Sequence, residues 1–380
     1  MKKVVIIQYR LLHYRVKLFE DLRAICSESG IELCLVHGQP TKQEATKRDV
    51  GNLSWAEVVV NRYVSIGGRD ILWQPFPKQH RDADLVIVMQ ENRLLSNYPW
   101  LFLRWLHKSK VAYWGHGRNF QASRPSGLRE KWKKLLVGRV DWWFAYTALT
   151  KRILLEDGYP EQRITVLDNA IDNDNFVADL AAVSDATLTD IRLALGLKAE
   201  SIVGLFCGSL YVDKRLDYMV AAADKIVETF PNFHLLVIGD GPSAAEIREA
   251  AETRPWLHRL GVRKGLEKAA YFRLAKLVFN PGAVGLHVLD AFCAGAPMVT
   301  TLDARHGPEI AYLKNGVNGL IVSGDAKAYA DAVINLLKNP DDYERLKSAA
   351  LADAQRYTLK NMVANFADGI SQCLSTSTKP

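Results

Sequence analysis

Short runs rich in valine, isoleucine and leucine alternate with amphipathic helical patterns along most of the chain, and this alternation restricts the fold more than any other feature. Strands that are apolar on both faces and separated by helices are typical of parallel sheets covered by helices. The chain is therefore predicted to be an α/β protein. The predicted helices include Tyr14–Ser29, Arg93–Lys108, Tyr218–Phe230 and Leu286–Ala294. The predicted strands are Lys3–Gln8, Ile31–His37, Glu57–Ser65, Asp84–Met89, Lys110–Trp114, Asp141–Tyr146, Ile164–Asn169, Ser201–Cys207, His234–Gly239, Lys276–Asn280, Pro297–Thr301 and Gly319–Val322.

The length of 380 residues suits two ordinary α/β domains. We predict an N-terminal Rossmann-like domain over residues 1–175 and a C-terminal one over 176–356. An acidic, polar stretch around Asp172–Asp190 separates their two series of strands. The last helical pattern, within 357–380, follows the second domain and could pack back on the first.

The net charge of +7 is concentrated in the first half of the chain. Residues 1–175 contain 27 Lys and Arg against 19 Asp and Glu, a balance of +8. That half is expected to meet an anionic partner, although a solvated basic face gives the same composition. There is no nucleic-acid recognition motif, and no nucleic-acid partner is predicted.

Cysteine spacing and the N-terminus predict a cytoplasmic protein. The five cysteines include no Cys-x-x-Cys pair, so they are interpreted as core residues in a reducing compartment. The first residues, MKKVVIIQYR, predict a buried strand and not a signal peptide. No stretch approaches the ~20 apolar residues of a membrane span. Two Asp-x-Asp triplets, Asp82–Asp84 and Asp172–Asp174, are interpreted as chance, and neither a metal nor a cofactor is predicted.

The segment Asn280–Thr301 has the pattern of a phosphate site. Pro281 ends a strand because it cannot donate to a sheet, and the small residues up to Gly285 let a ligand approach the backbone. A glycine loop that leads into a helix at the carboxyl end of a parallel strand offers free N–H groups to an anion. Asp290, one turn into the helix, is then within reach of ribose hydroxyls. An ordinary turn is the alternative, because one glycine pattern is a weak signal.

Two further segments point to the same edge of the predicted sheet. In Leu205–Arg215 a strand runs into Gly208, and Lys214 follows where it can neutralise a diphosphate. A lone surface lysine is the alternative explanation. His234–Pro242 is another strand followed by a glycine turn. Three such turns at one edge are far more specific than any one of them.

In this combination the sequence resembles the retaining glycosyltransferases of the GT-B fold, family 4 or glycosyl transferases group 1. The resemblance implies two Rossmann-like domains whose parallel sheets face a central cleft, with a nucleotide diphosphate-sugar donor in the second domain and the acceptor in the first. It also implies an enzyme that retains the anomeric configuration and needs no metal. The matching motifs lie at Gly208–Lys214, Leu236–Pro242, Pro281–Thr301, His306–Glu309 and Asn315–Leu320, and more loosely at Trp114–Gly117 and Val166–Asp172.

The resemblance assigns site residues as well. His116 matches a histidine beside the transferred sugar; a buried structural histidine is the alternative. Tyr9-Arg10 and Tyr14-Arg15 replace the usual glycine pair of the opening loop, so Arg10 and Arg15 are predicted to bind an acceptor phosphate. The predicted donor-binding residues are Gly208, Ser209, Lys214, Arg215, Gly285, Leu286 and Asp290.

Two positions depart from the family pattern. Gly282 stands where the family has a sugar-binding glutamate, and Ser209 where an arginine is common. The sugar contact is expected to be missing or made by backbone. No convincing carboxylate nucleophile is present. We therefore predict front-face departure, in which the diphosphate, stabilised by Lys214, accepts the acceptor's proton. Lys214 and His116 are the predicted catalytic residues.

The segment Ser126–Val140 predicts a basic amphipathic helix. Basic helices with tryptophan on the apolar face fit docking on anionic lipid, which we predict for residues 124–139. The alternative is that the leucines pack on the domain's own sheet. This prediction places the protein on the inner face of the cell membrane, with a glycan or polyprenyl-linked acceptor of bacterial envelope polysaccharide synthesis. The apolar face consists of Leu128, Trp132, Leu135 and Leu136.

Two other functions stay open at this point. A GT-B-fold sugar-nucleotide epimerase would bind the same ligand, but it needs acid and base groups that the sequence barely provides. A non-catalytic nucleotide-sugar-binding homologue is the other alternative, and Gly282 keeps it open.

Overall fold

The computed structural model of the protein describes residues 1–45, 49–66, 69–103, 108–117 and 136–376. The chain divides into two compact units. The first consists of Met1–Asp172 together with Leu359–Pro380, and the second is Asn173–Thr358. The C-terminal helix is therefore part of the first unit, and the change of unit falls within the acidic stretch that separates the two series of strands.

The first unit is built on a parallel sheet. Its strands are β1 (Lys2–Gln8), β2 (Ile31–His37), β3 (Glu57–Val58), β4 (Arg62–Ile66), β5 (Arg69–Trp73), β6 (Leu85–Met89), β7 (Lys110–Gly115), β8 (Trp142–Ala145) and β9 (Ile164–Val166). Seven of them form one sheet in the order β3-β2-β1-β6-β7-β8-β9, with every neighbouring pair parallel. The other two, β4 and β5, form an antiparallel hairpin.

Helices pack on this sheet through apolar stripes. On the first of them, Leu18, Leu22 and Cys26 recur every fourth residue and are buried. On the C-terminal helix, Phe366 packs edge-on against Trp114, with 5.1 Å between ring centroids. The described helices of this unit are α1 (Val16–Glu28), α2 (Lys42–Ala45), α3 (Asn97–Phe102), α4 (Ala148–Glu156) and, at the end of the chain, α13 (Leu359–Ser375).

The second unit contains a six-stranded parallel sheet. Its strands are β10 (Ile202–Cys207), β11 (Phe233–Ile238), β12 (Leu257–Gly261), β13 (Leu277–Phe279), β14 (Met298–Thr301) and β15 (Gly319–Val322). They are arranged in the order β12-β11-β10-β13-β14-β15, and all pairs are parallel. Numbered within the unit this order is 3-2-1-4-5-6, which is the order of a Rossmann fold.

The core of the second unit lies between its sheet and its helices. The Phe279 ring packs against both Phe233 and Tyr329, and the Tyr329 hydroxyl donates to the Val299 carbonyl over 2.7 Å. The helices are α5 (Asp174–Ala182), α6 (Asp185–Ala194), α7 (Leu216–Thr229), α8 (Ala244–Glu252), α9 (Gly265–Leu274), α10 (His287–Cys293), α11 (Ala326–Lys338) and α12 (Pro340–Arg356).

One predicted strand is wrong and two strands were missed. Glu57–Ser65 divides into β3 and β4, because Asn61 exchanges hydrogen bonds with the Gln39 side chain and carbonyl in place of a strand partner. The missed strands are β5, in the hairpin, and the edge strand β12. The sequence of β12, LHRLG, is too polar to stand out as an apolar run.

Candidate functional site

The predicted donor residues lie at the switch point of the second sheet. Strands β10 and β13 are neighbours, but the next strand after β10 lies on one side and the next after β13 on the other. The loops Gly208–Arg215 and Asn280–Leu286 therefore leave the sheet side by side. Such a crevice is where open α/β sheets bind ligands.

A third loop packs against the first of these two. Gly239 and Gly241, after β11, have φ angles of +140° and +154°, which side chains rarely adopt. A Cβ on Gly239 would collide with the carbonyl oxygen of Gly208, and one on Gly241 with that of Leu210. The two glycines thus allow the loop after β11 to pack closely against the loop after β10.

Close backbone packing explains why position 282, where the resemblance implies a glutamate, holds a glycine. A Cβ at Gly282 would collide with the Asp213 carbonyl oxygen and stand 2.5 Å from the Cα of Lys214. The amide of Ala283 donates to the same Asp213 oxygen over 2.9 Å. A side chain does not fit here, because the backbone of residues 213–214 fills the space next to position 282.

Lys214 is a buried cation with neutral partners. Only 5% of the residue is exposed. Its Nζ donates to the Ala283 carbonyl at 2.5 Å and to Asn280 Oδ1 at 3.4 Å. Burial lowers the pKa of Lys214 to about 8. Because burying an unpaired charge costs free energy, a bound anion would stabilise this arrangement.

Asp290 has a cationic partner that the sequence did not reveal. The residue is 5% exposed, and its Oδ2 lies 2.8 Å from Lys268 Nζ on the neighbouring helix α9. Burial raises the pKa of Asp290, while the charge of Lys268 and its hydrogen bond oppose that shift. Lys268 also lies over the ring of Phe176, 4.4 Å from its centroid. The carboxylate is therefore held at the site in a fixed, paired geometry.

The His306 ring forms hydrogen bonds that fix the loop between β13 and α10. Its Nδ1 accepts the amide proton of Val284 at 3.3 Å, and its Nε2 lies 2.6 Å from the Thr301 carbonyl. Since a carbonyl oxygen only accepts, Nε2 carries the proton and the ring is neutral. Burial lowers the pKa of His306, which favours that state. The Gly307 amide donates back to the Val284 carbonyl over 3.0 Å.

The beginning of α10 presents unpaired polar groups. Within the described residues, the amides of Gly285, Leu286 and His287 donate to no acceptor. The first amides of a helix lack intrahelical partners, and their dipoles favour an anion. His287 Nε2 is also buried, and the described chain offers it no hydrogen-bond partner. Phosphate contacts by Gly285 and Leu286 stay a prediction that this geometry allows.

The remaining donor candidates differ in their surroundings. Arg215, with φ of +55°, donates to Thr301 Oγ1 over 3.0 Å and pairs with Asp303 over 2.9 Å. Ser209 is exposed. Because Arg215 already has a carboxylate partner, the cation best suited to a diphosphate is Lys214.

In the first unit, His116 follows β7 at the carboxyl edge of the sheet. Its ring packs edge-on against Tyr146, with 4.0 Å between centroids. The next residue, Gly117, exchanges two hydrogen bonds with the Gln90 side chain, of 2.8 and 2.9 Å. The Gln90 amide thus fixes the turn that presents His116. A role for His116 in the reaction stays a prediction.

Arg10 lies in a cluster of compensating charges. Its side chain is 9% exposed and donates to Asp49 Oδ1 over 2.8 Å. Its Nε lies 3.9 Å from Glu44 and donates to the Tyr9 hydroxyl over 3.1 Å. An acceptor phosphate would have to compete with two carboxylates, so the geometry favours a structural role over the predicted one.

Arg15 is buried in the first unit. Its Nη2 donates to Asn169 Oδ1 over 2.6 Å, and its Nη1 to the Ala170 carbonyl over 3.4 Å. The guanidinium lies 5.4 Å from the ring centroid of Trp114. With 7% exposure, these contacts assign Arg15 to the fold in place of the predicted acceptor phosphate.

Most of the predicted membrane segment, 124–135, lies outside the described residues. At its end, Leu136 and Val137 are buried in the core of the first unit, so Leu136 faces inward and not toward lipid. Arg139 lies over the Phe102 ring, 5.3 Å from its centroid. No helix in the described ranges is long and apolar enough to cross a bilayer.

The first Asp-x-Asp triplet is used in ion pairs of the first unit. Asp82 pairs with Lys3 over 2.8 Å, and Asp84 pairs with Lys2 over 2.7 Å. Across the described residues, no three histidine, cysteine or carboxylate side chains are grouped as metal ligands would be.

The sequence of the second unit matches a known family. Residues 201–339 match the model described as Glycosyl transferases group 1. Among curated proteins, the chain is 28% identical over 223 residues to D-inositol 3-phosphate glycosyltransferase of Corynebacterium urealyticum, covering 54% of this chain and 51% of that protein. It is 21% identical over 169 residues to alpha-monoglucosyldiacylglycerol synthase of Acholeplasma laidlawii, covering 43% and 42%. The chain thus spans about half the length of the curated relatives it matches.

The whole fold has counterparts among solved structures. The structure of Anabaena Alr3699/HepE in complex with UDP aligns with 98% of this chain and 100% of its own, at a TM-score of 0.69 and 16% identity. At that identity the likeness concerns the fold, and it covers both units. The chain has the GT-B fold, and residues 201–339 of its second unit match the glycosyl transferases group 1 model.

Proposed function

We propose that this protein is a retaining, metal-independent glycosyltransferase that moves a sugar from a nucleotide diphosphate-sugar to a glycan or lipid-linked acceptor. The main support is Lys214, a buried ammonium at the switch point whose bonded partners are neutral oxygens. A diphosphate is an anion that such a cation would bind. The family of the second unit, and the UDP in the HepE structure, agree with a nucleotide donor.

In the proposed reaction the bond between the anomeric carbon and the leaving phosphate oxygen breaks. Negative charge grows on the diphosphate, where Lys214 and the free amides of Gly285 and Leu286 would stabilise it. The leaving oxygen then accepts the proton of the acceptor hydroxyl, which attacks the same face of the sugar and retains its configuration. These groups supply the positive charge that a metal ion supplies in other enzymes. His116 is proposed to orient the transferred sugar.

Asp290 is proposed to accept hydrogen bonds from the ribose. Its carboxylate is buried beside Lys268, whose charge and hydrogen bond oppose the rise of its pKa on burial and hold the carboxylate in one orientation. Arg10 and Arg15 are left out of the proposed acceptor site, because each is engaged within the first unit. The acceptor is therefore proposed to bind through other residues of that unit.

We propose further that the protein acts at an anionic membrane surface in bacterial envelope polysaccharide synthesis. The support is the +8 charge of residues 1–175, together with the basic segment 124–139. One relative is named as a synthase of a glucosylated diacylglycerol. Flotation with phosphatidylglycerol-containing vesicles at low salt tests the idea. Neutral vesicles, with which the protein should not float, are the control. If the protein does not float with the anionic vesicles either, the proposal is rejected.

A ligand thermal-shift screen tests the donor site. UDP, GDP, ADP and their sugars are compared on the wild type, Lys214→Met and Asp290→Asn, with Lys225→Met as the exposed-lysine control. A ligand at 100 times its Kd stabilises by about 2.7 kcal/mol, so one nucleotide series should raise the Tm clearly. The Lys214 and Asp290 variants should lose that rise and the control should keep it. If no ligand raises the Tm of the wild type, the proposed donor site is wrong.

A second experiment separates an enzyme from a non-catalytic binding protein. The nucleotide-sugar that binds is incubated with the protein, and the anomeric proton of the first sugar released to water is followed by NMR. Release in the donor's own configuration is expected of a retaining enzyme. Binding without any turnover, with or without lipid extracts as acceptor, would favour the non-catalytic alternative.

A further inference from the structure

His287 lies between the phosphate loop and the predicted ribose carboxylate. It is the first residue of α10, and its Nδ1 would stand 3.9 Å from a Cβ built on Gly285. Asp290 follows one turn later, so the two side chains share a face of the helix. His287 Nε2 is buried and, in the described parts of the chain, has no partner. Burying a polar nitrogen without a hydrogen-bond partner costs free energy. None of the donor contacts proposed above involves His287 Nε2.

The surroundings of His287 are positively charged. Burial, and then the charges of Lys214 and Lys268, keep the pKa of His287 well below its ordinary value. The imidazole is therefore neutral in the free protein near pH 7. The ionisable groups of the neighbouring elements in this cluster are Cys207, Lys214, Lys268, Asp290 and His306. Asp290 pairs with Lys268, and Asp303, whose charge acts on His306, pairs with Arg215. Glu309 is a further buried carboxylate beside Gly307.

We propose that His287 is a further donor-binding residue, whose Nε2 bonds to a phosphate oxygen of the nucleotide diphosphate and whose imidazole takes up a proton as that anion binds. This inference rests on the proposed donor site and deepens it. The diphosphate of a nucleotide-sugar carries two negative charges, and Lys214 offsets one of them. Arg215 and Lys268 have carboxylate partners, and Ser209 offers no charge. A protonated His287 supplies the second positive charge.

Two groups would then take up protons on binding, in separate pH ranges. Lys214, with a pKa of about 8 in the free protein, binds protons when the anion arrives above that pH. His287 does so at lower pH, where Lys214 is already charged. A nucleotide-sugar has no phosphate group that titrates near neutral pH, so proton uptake near pH 6 reports on the protein.

The test is calorimetric titration near pH 6 in two buffers of different ionisation enthalpy, with UDP-glucose, GDP-mannose and ADP-glucose as probes. Wild-type protein should take up a large fraction of one proton per bound nucleotide-sugar. His287→Gln keeps a hydrogen-bond donor but cannot titrate, so it should bind within about threefold of wild type without that uptake. His287→Leu should weaken binding about tenfold or more. His234→Gln, at the opposite end of the sheet, should behave as wild type.

The possible failures are distinguishable. Wild-type proton uptake in His287→Gln, or wild-type affinity in His287→Leu, overturns the role of His287 and leaves the donor site standing, provided Lys214→Met has lost binding. If His287→Leu does not fold, the proton uptake of His287→Gln decides. If the wild type binds none of the three probes, the proposed donor site and the proposed role of His287 are both rejected.

Discussion

Gly282 packs so closely on the backbone of Lys214 that a Cβ at position 282 would stand 2.5 Å from the lysine Cα. The same contact lets the Lys214 ammonium reach the Ala283 carbonyl. The absence of the family glutamate is thus part of how this chain positions its buried lysine. Any side chain at 282 must displace the loop that contains Lys214.

Restoring the family residue should therefore damage the site. Gly282→Ala is expected to lower the free energy of unfolding by about 1–3 kcal/mol, the usual cost of overpacking, and Gly282→Glu by more. Both should weaken nucleotide binding, because Lys214 moves. Chemical denaturation and the thermal-shift screen measure the two effects.

Gly208→Ala is the stability control, since an added Cβ there meets its nearest neighbours at 3.8–4.0 Å, an ordinary contact distance. It should change the free energy of unfolding by less than about 1 kcal/mol. Equal stability of Gly282→Ala and wild type would contradict the close contact with Lys214.

Removing the charge of Lys214 should stabilise the free protein. Burial lowers the pKa of this lysine to about 8, whereas a lysine in the unfolded chain titrates near its ordinary pKa of 10.5. Between these values the unfolded state binds more protons, so the free energy of unfolding rises with pH there. At pH 7 the buried charge therefore costs stability. Lys214→Met should be more stable than wild type by about 1–3 kcal/mol, and this advantage should shrink above pH 8.

The measurement is urea unfolding of both proteins from pH 7 to 10. Lys225→Met, an exposed lysine on the neighbouring helix α7, should show no such pH-dependent gain. A Lys214→Met protein that is less stable than wild type at pH 7 would show that the bonds to Ala283 and Asn280 outweigh the cost of burial.

The sequence predicts the parts of the site that depend on local pattern. Strand ends, glycine turns and the position of Asp290 follow from periodicity and from the conformational needs of each residue type. Once the strand order is a Rossmann order, Lys214 and Asn280 must meet at the switch point.

What the sequence did not predict are partners fixed by tertiary packing. The strand β13 lies between Lys268 and Asp290, which are 22 residues apart, and only the tertiary fold brings their charged groups within 2.8 Å. The sequence predicts an acceptor phosphate for Arg15, yet its guanidinium contacts Asn169 and Trp114 within the first unit. Such pairs depend on distant segments, and no local pattern marks them.

Arg15 should matter to stability and not to donor binding. Arg15→Met leaves Asn169 Oδ1 without its 2.6 Å partner and removes the charge from its ring contact. We expect the free energy of unfolding to fall by about 2–4 kcal/mol. Arg23→Met, an exposed arginine on α1, should cost at most about 1 kcal/mol. Wild-type stability in Arg15→Met, with loss of acceptor transfer, would instead support the role first predicted for Arg15.

The histidine pair on the second sheet should make that unit sensitive to acid. His234 Nδ1 lies 3.0 Å from His258 Nε2, a bond that requires at least one neutral ring. Burial, and then the neighbouring His234, lower the pKa of His258 to about 4, and burial also lowers that of His234.

An unfolded histidine titrates near 6.5, so between that pH and about 4 the unfolded state binds more protons. Both rings are partly exposed, so solvent screening reduces the effect. The free energy of unfolding is therefore expected to fall by about 1–2 kcal/mol as the pH drops through this window. Above pH 6.5 the pair should have no effect on it. His258→Gln keeps a hydrogen bond to His234 but cannot become charged, so its unfolding curves should depend less on pH than those of wild type. His13→Gln, an exposed histidine of the first unit, should retain the wild-type pH dependence. Equal acid sensitivity of His258→Gln and wild type would place the responsible groups outside this pair.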